Sequence, residues 1–116
     1  MLAFSGICLK AQTNLDSLYA VWQDQNQPDS TRVVAYKGYI WNGFLYSQPD
    51  TAFMLAEELL AFGLDKNYLV AQAEGNNIQG ISWYVRGDYP KALEYYTKSL
   101  KIKEQIGDQR GIAQCY

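Results

Sequence analysis

The chain has 116 residues, enough for one small domain, and its 48% hydrophobic content with 15% aromatics gives ample material for a core. Ten basic against twelve acidic side chains leave a net charge of −2, which argues against a nucleic-acid surface or a polybasic membrane anchor. Histidine is absent and the two cysteines, Cys8 and Cys115, lie at opposite ends, so zinc hydrolase, Ser-His-Asp and Cys-His chemistries, and a disulfide framework, have no residues to rest on.

Met1 to Cys8 is an apolar run followed by Leu9-Lys10-Ala11, which reads as the end of a secretory h-region with a cleavage site after Ala11. It lacks a basic n-region and is too short to span a bilayer, so residues 1–11 are expected to be the remnant of a signal peptide and the protein to be extracytoplasmic. An apolar first element packed on the domain is the alternative. Asn14 to Gln25 sets Leu15, Leu18, Tyr19 and Trp22 at i, i+3, i+4 and i+7, one face of a helix that would cap the fold, with 12–28 as cap and linker. Pro28 breaks the pattern, and Asp29 or Ser30 can cap a helix over Thr31 to Tyr46. Pro49 suits a first helical turn, so the next helix is expected from Asp50 to Phe62, with Gly63 as its C-cap. A third spans about Asn67 to Arg86, a fourth Tyr89 to Ile106, and Gln109 to Tyr116 begins another.

Two relations organise these helices. Ala52 and Ala92 are forty residues apart, as are Ala56 and Tyr96, so the chain repeats at about forty residues. Within Asn76 to Glu104, small residues at Gly80, Ala92 and Ser99 alternate with bulky Trp83 and Tyr96 around the turn Gly87-Asp88-Tyr89, a pattern suited to two closely crossing helices. This stretch resembles the tetratricopeptide repeat, with Gln79 where that family usually carries leucine and Glu104 where many members carry proline. The resemblance implies an all-α fold of antiparallel helical hairpins stacked as a right-handed superhelix. Residues 29–65 would form a divergent first hairpin, 66–106 the clear one, and 107–116 the truncated start of the next. Counting back forty from Gly80 and Trp83 gives Ile40 and Gly43, so large and small have exchanged places in the first unit. The phrases Tyr46 to Ala52 and Ile102 to Asp108 resemble the forty-residue units of long bacterial arrays, of which this chain would be an N-terminal piece.

In that family the first helix of each hairpin lines a concave groove for a peptide or partner helix. By the register of Gly80 and Trp83, the groove positions here are Glu74, Asn77, Ile81, Tyr84 and Val85, with Lys37 and Trp41 in comparable places on the first unit. Asn77 stands out, because asparagine is a poor helix former and its amide can both donate and accept toward a peptide backbone. Trp41 and Ile78 occupy places where carboxylate-clamping members carry asparagines, so that subfamily does not fit. Lys91, Lys98, Lys101 and Lys103 fall on the second helix, where Glu94 sits one turn before Lys98, and they read as a solvated convex face. Glu57 and Glu58 are adjacent and point apart, which disfavours joint acid-base work. The expectation is a non-enzymatic scaffold with a protein or peptide partner, no cofactor, no metal and no membrane insertion. The alternative is the sensory front of a bacterial signalling enzyme whose cyclase or kinase domain lies downstream.

Overall fold

The computed structural model describes the backbone of residues 14–115 and side chains through residue 107. The expected signal remnant and Cys8 lie outside the described residues. The architecture is all-α: helix α1 over residues 14–23, α2 Asp29–Gly43, α3 Pro49–Asp65, α4 Leu69–Val85 and α5 Tyr89–Cys115, with no strand among the described residues. Close contacts run between α1 and α2, between α3 and α4, and between α4 and α5, each pair antiparallel because its connection is short.

The turns explain the helix ends. Lys66-Asn67-Tyr68 and Arg86-Gly87-Asp88 are twins, with Asn67 at φ 52° and Gly87 at φ 87° supplying the left-handed residue. The Tyr68 N–H donates to the Gly63 carbonyl at 2.8 Å and the Asp88 N–H to the Trp83 carbonyl at 3.0 Å, a bond spanning five residues that closes the preceding helix in both cases. Asp88 then accepts from the Lys91 N–H at 3.2 Å and so starts α5.

Several expected boundaries are corrected. Helix α2 begins at Asp29, not Thr31, with Pro28 at its N-cap and no side-chain cap. It stops at Gly43 rather than Tyr46, because the N–H groups of Phe44 and Leu45 both fold back on the Ile40 carbonyl and tuck Leu45 into the core. Gly63 is not a C-cap: α3 runs on to Asp65, and Gly63 lies buried against α4. Helix α4 starts at Leu69 because Asn67 is already left-handed. Finally, α5 continues to Cys115 with no break at Gly107-Asp108, since a lone glycine without a following proline does not stop a helix.

Two kinds of packing hold these helices. Around α1, α2 and α3 the filler is aromatic: the Trp22 ring stacks on Tyr36 at 4.1 Å and meets Phe62 at 5.0 Å, while Tyr19 leans on Tyr39 at 5.0 Å. Such pairs contribute about 0.5–1.5 kcal/mol each beyond their buried area. Arg32 stretches over Trp22 and Phe62 and donates from Nε to the Trp22 carbonyl, pinning α1 to α2. The fully buried Tyr36 donates its hydroxyl to Glu58 at 2.6 Å, joining α2 to α3. Burial and the neighbouring carboxylate push the Tyr36 hydroxyl far above the ordinary tyrosine range.

Around α4 the filler is small. A Cβ on Gly75 would stand 3.0 Å from the Ala56 carbonyl of α3, and one on Gly80 would stand 2.6 Å from the Tyr96 ring and 3.2 Å from the Ala92 carbonyl of α5. Gly63 comes equally close to α4 from the other side, 2.7 Å from the Gln72 nitrogen. Ser99 completes the seam by donating from Oγ to the Ala73 carbonyl at 2.9 Å.

Candidate functional site

The exposed face shared by α2 and α4 starts from the way consecutive short turns return the chain. Helices α2 and α4 both pack on α3 and touch each other at a few points. Lys37 of α2 and Glu74 of α4 do so, with Nζ 3.1 Å from Oε2. The contact is an ion pair without hydrogen-bond alignment, and Glu74 Oε2 is enclosed with no hydrogen-bond partner. Their opposite charges leave the middle of this face close to neutral.

The other expected groove residues are only partly available. Trp41 and Ile81 are half-buried against the core cluster, so their outer edges alone reach the face. Asn77 is also half-buried, whereas Tyr84 is exposed and leans on Tyr89 at 5.3 Å. Val85, the last residue of α4, is half-buried. Beside Glu74, a cleft of about 290 Å³ opens between the start of α4 and the far part of α5, lined by Val70, Ala73, Glu74, Lys103, Ile106 and Gly107.

Of the repeat positions, Gly80, Ala92, Tyr96 and Ser99 meet at the α4/α5 crossing. The atoms nearest to Gly80 are those of the Tyr96 ring and the Ala92 carbonyl. Trp83 is half-buried one turn on from Gly80, edge-on to Phe53 at 6.0 Å, with the Arg86 guanidinium 3.7 Å and the Lys91 ammonium 4.3 Å from its ring. Arg86 also bridges to Asp50 of α3, so Trp83 marks the junction of α3, α4 and α5. Gln79, at the position where leucine is usual, is buried with Oε1 lacking a hydrogen bond. Lys98 and Glu94 lie at 4.0 Å, both well exposed, as a solvated pair.

Sequence reasoning missed two features of this surface. The turn at Asn67 was signalled by its twenty-residue distance from Gly87, a half-repeat that a forty-residue comparison passes over. The contact of Tyr84 with Tyr89 carried no periodic signal, because the two residues lie on either side of the α4–α5 turn. No group of potential metal ligands occurs among the described residues, and none of the described helices is long and apolar enough to cross a membrane. The chain matches no protein-family model, and no curated protein or solved structure matches it.

Proposed function

We propose that this chain is a non-enzymatic protein-interaction module of the tetratricopeptide type, taking up a peptide or partner segment on the face shared by α2 and α4. The observation that carries the reading is the Lys37–Glu74 pair, which joins α2 to α4 as a stacked pair of first helices would be joined. In this reading α1 is a cap on α2, and the hairpins 29–65 and 66–106 are units of a right-handed superhelix. The forty-residue correspondence supports the stacking: Phe53 and Leu60 of α3 lie against Trp83 and Gly75 of α4, and their counterparts Leu93 and Leu100 stand exposed on α5, on a face with room for a further helix.

The test is to pan a displayed peptide library on the immobilised chain and measure the selected peptides against variants. Asn77→Ala and Tyr84→Ala should each weaken binding about fivefold or more, with melting temperature unchanged, because a groove amide and an exposed aromatic act at the contact rather than in the core. Lys98→Glu, on the convex side, should leave binding intact. Selected peptides that depend on Lys98 and ignore Asn77 and Tyr84 would move the binding surface to α5.

A further inference from the structure

Helix α5 carries the forty-residue repeat onto a face that no other helix covers among the described residues. Phe53 and Leu60 of α3 are half-buried against α4, whereas their counterparts Leu93 and Leu100 on α5 are 66% and 56% exposed. The two leucines stand seven residues apart, which places them on one stripe of the helix. Glu94 and Lys101 are also seven apart and form a second, charged stripe beside the first, with Thr97 midway along both. An open cleft of about 440 Å³ runs along this face, lined by Pro90, Leu93, Glu94, Thr97, Lys98 and Lys101.

A helix like α4 is a poor cover for this face. Helix α4 comes close to α3 because Gly63 has no side chain, so that even a Cβ there would stand 2.7 Å from the Gln72 nitrogen, and the residue forty on from Gly63 is Lys103. The face suits a helix that keeps its distance, meets leucine with leucine and presents its charges in the reverse order. Helix α5 itself has that order. When two copies of α5 cross antiparallel about a two-fold axis near Thr97, each Leu93 comes opposite the partner's Leu100 and each Glu94 opposite the partner's Lys101. The leucines centre the crossing just before Thr97 and the charges just after it, so one register serves both stripes. A parallel pairing would set Glu94 on Glu94 and Lys101 on Lys101. The other ionic groups of α5 agree with the antiparallel order. Lys98, 4.0 Å from Glu94 of its own helix, falls within one turn of the partner's Glu94 as well. Glu104 comes opposite Pro90 and Lys91, at the positive end of the partner helix. Asp88 is taken up in capping its own α5 at the Lys91 N–H, the Lys91 ammonium lies 4.3 Å from its own Trp83 ring, and Lys103 lines the separate cleft beside Glu74.

We propose that the outer face of α5 is a self-association surface, on which α5 of a second copy packs antiparallel through Leu93, Leu100, Glu94 and Lys101. None of these residues belongs to the expected α2/α4 groove, so self-association goes beyond the peptide-binding role and is tested separately from it. One pair of crossing helices makes an interface at the small end of the range, hence a weak dimer whose population depends on concentration. The full chain is sedimented at equilibrium over about 5 to 500 μM, a span suited to weak dimers, with the fold of every variant checked by far ultraviolet circular dichroism. The unaltered chain is expected to pass from monomer to dimer across this span. Leu93→Glu and Leu100→Glu should each weaken association about tenfold or more, since the two-fold axis doubles each loss. Glu94→Lys alone and Lys101→Glu alone should each weaken it about fivefold, because either change sets like charges together at two symmetric places. Carrying both changes in one chain should restore association to within about twofold, and an equimolar mixture of the two single variants should associate more tightly than either alone. The proposal is overturned by a monomer throughout the range, which leaves the face to a different helix, or by a dimer indifferent to Leu93→Glu and Leu100→Glu. It is also overturned if the single charge reversals have no effect, as in a parallel pairing, or if the doubly reversed chain stays as weak as the single ones.

Discussion

Replacing Gly63 with alanine tests the α3/α4 contact directly, because helix propensity and packing pull in opposite directions there. In an open helix interior, Gly→Ala stabilises by up to about 1 kcal/mol. At Gly63 the new Cβ would stand 2.7 Å from the Gln72 backbone nitrogen, 2.8 Å from its Cγ and 3.0 Å from the Ala71 Cβ. The nitrogen belongs to the α4 backbone and cannot rotate away, so reaching an ordinary contact near 3.4 Å requires the two helices to part by about 0.7 Å. That displacement stretches the 2.8 Å bond from the Tyr68 N–H and the 3.0 Å bond from the Gln72 side chain, both accepted by the Gly63 carbonyl. It also loosens Gly75 from Ala56. Overpacking of this kind costs about 1–3 kcal/mol, and set against the propensity gain it leaves a net loss of about 1 kcal/mol. In a domain of this size that is a fall in melting temperature of about 4–8 °C, read by circular dichroism. Two companions fix the interpretation. Gly107→Ala, with nothing within 4 Å of its new Cβ, should raise stability by about 0.5–1 kcal/mol. Gly80→Ala should fall between them, since the half-buried Tyr96 ring it meets can swing aside. A Gly63→Ala protein as stable as Gly107→Ala would refute the close approach of α3 and α4.

Three further outcomes are expected. Trp83→Ala should destabilise by about 2–3 kcal/mol in urea titration, less than a fully buried tryptophan, because half-burial and two stacked cations are what it loses. Tyr36→Phe should lose about 1–2 kcal/mol by leaving Glu58 without its donor, and it should also change the alkaline limb of stability against pH. The raised Tyr36 pKa means that its contribution is fully present below about pH 10, the unfolded value, and declines above it as the unfolded chain releases a proton that the folded one retains. The variant should therefore show a shallower loss above pH 10, measured by denaturant midpoints. At the Lys37–Glu74 pair, Lys37→Met should cost more than Glu74→Gln, because only the first leaves an enclosed carboxylate unpaired; thermal melts at low and high salt compare the two.

The all-helical character was legible because apolar periodicity and proline placement are local properties. Pro49 at the start of α3 is the clearest instance. The α4/α5 crossing was legible too, since Gly80, Ala92 and Ser99 carry their small size in their identity. What escaped was decided by tertiary geometry. Gly63 has the composition of a helix end, but the left-handed residue that ends α3 is Asn67, and Gly63 is small for the sake of its neighbour. The exchange of large and small between the units also has a spatial answer. Ile40 and Ala56 are both fully buried where Gly80 and Tyr96 stand in the second unit, so bulk moved from one helix of the pair to the other. The candidate face was legible in outline as Lys37 and Glu74. That Trp41 and Ile81 are half consumed by the core was not, because helical spacing alone does not tell a groove wall from a buried flank.

The small residues of α4 bear on how the chain acquires its structure. Gly75, Asn76, Asn77, Gly80 and Ser82 together disfavour an isolated helix by about 4 kcal/mol relative to alanine. The segment that touches the most neighbours is thus the one least able to form by itself, and a peptide of residues 69–85 should show little ellipticity at 222 nm. Helix formation there therefore draws on packing against α3 and α5, which is expected to couple the folding of the three helices. Cleavage within α4 would accordingly release two halves that both lose their order, giving the molecule the all-or-none resistance to proteases of a single cooperative unit.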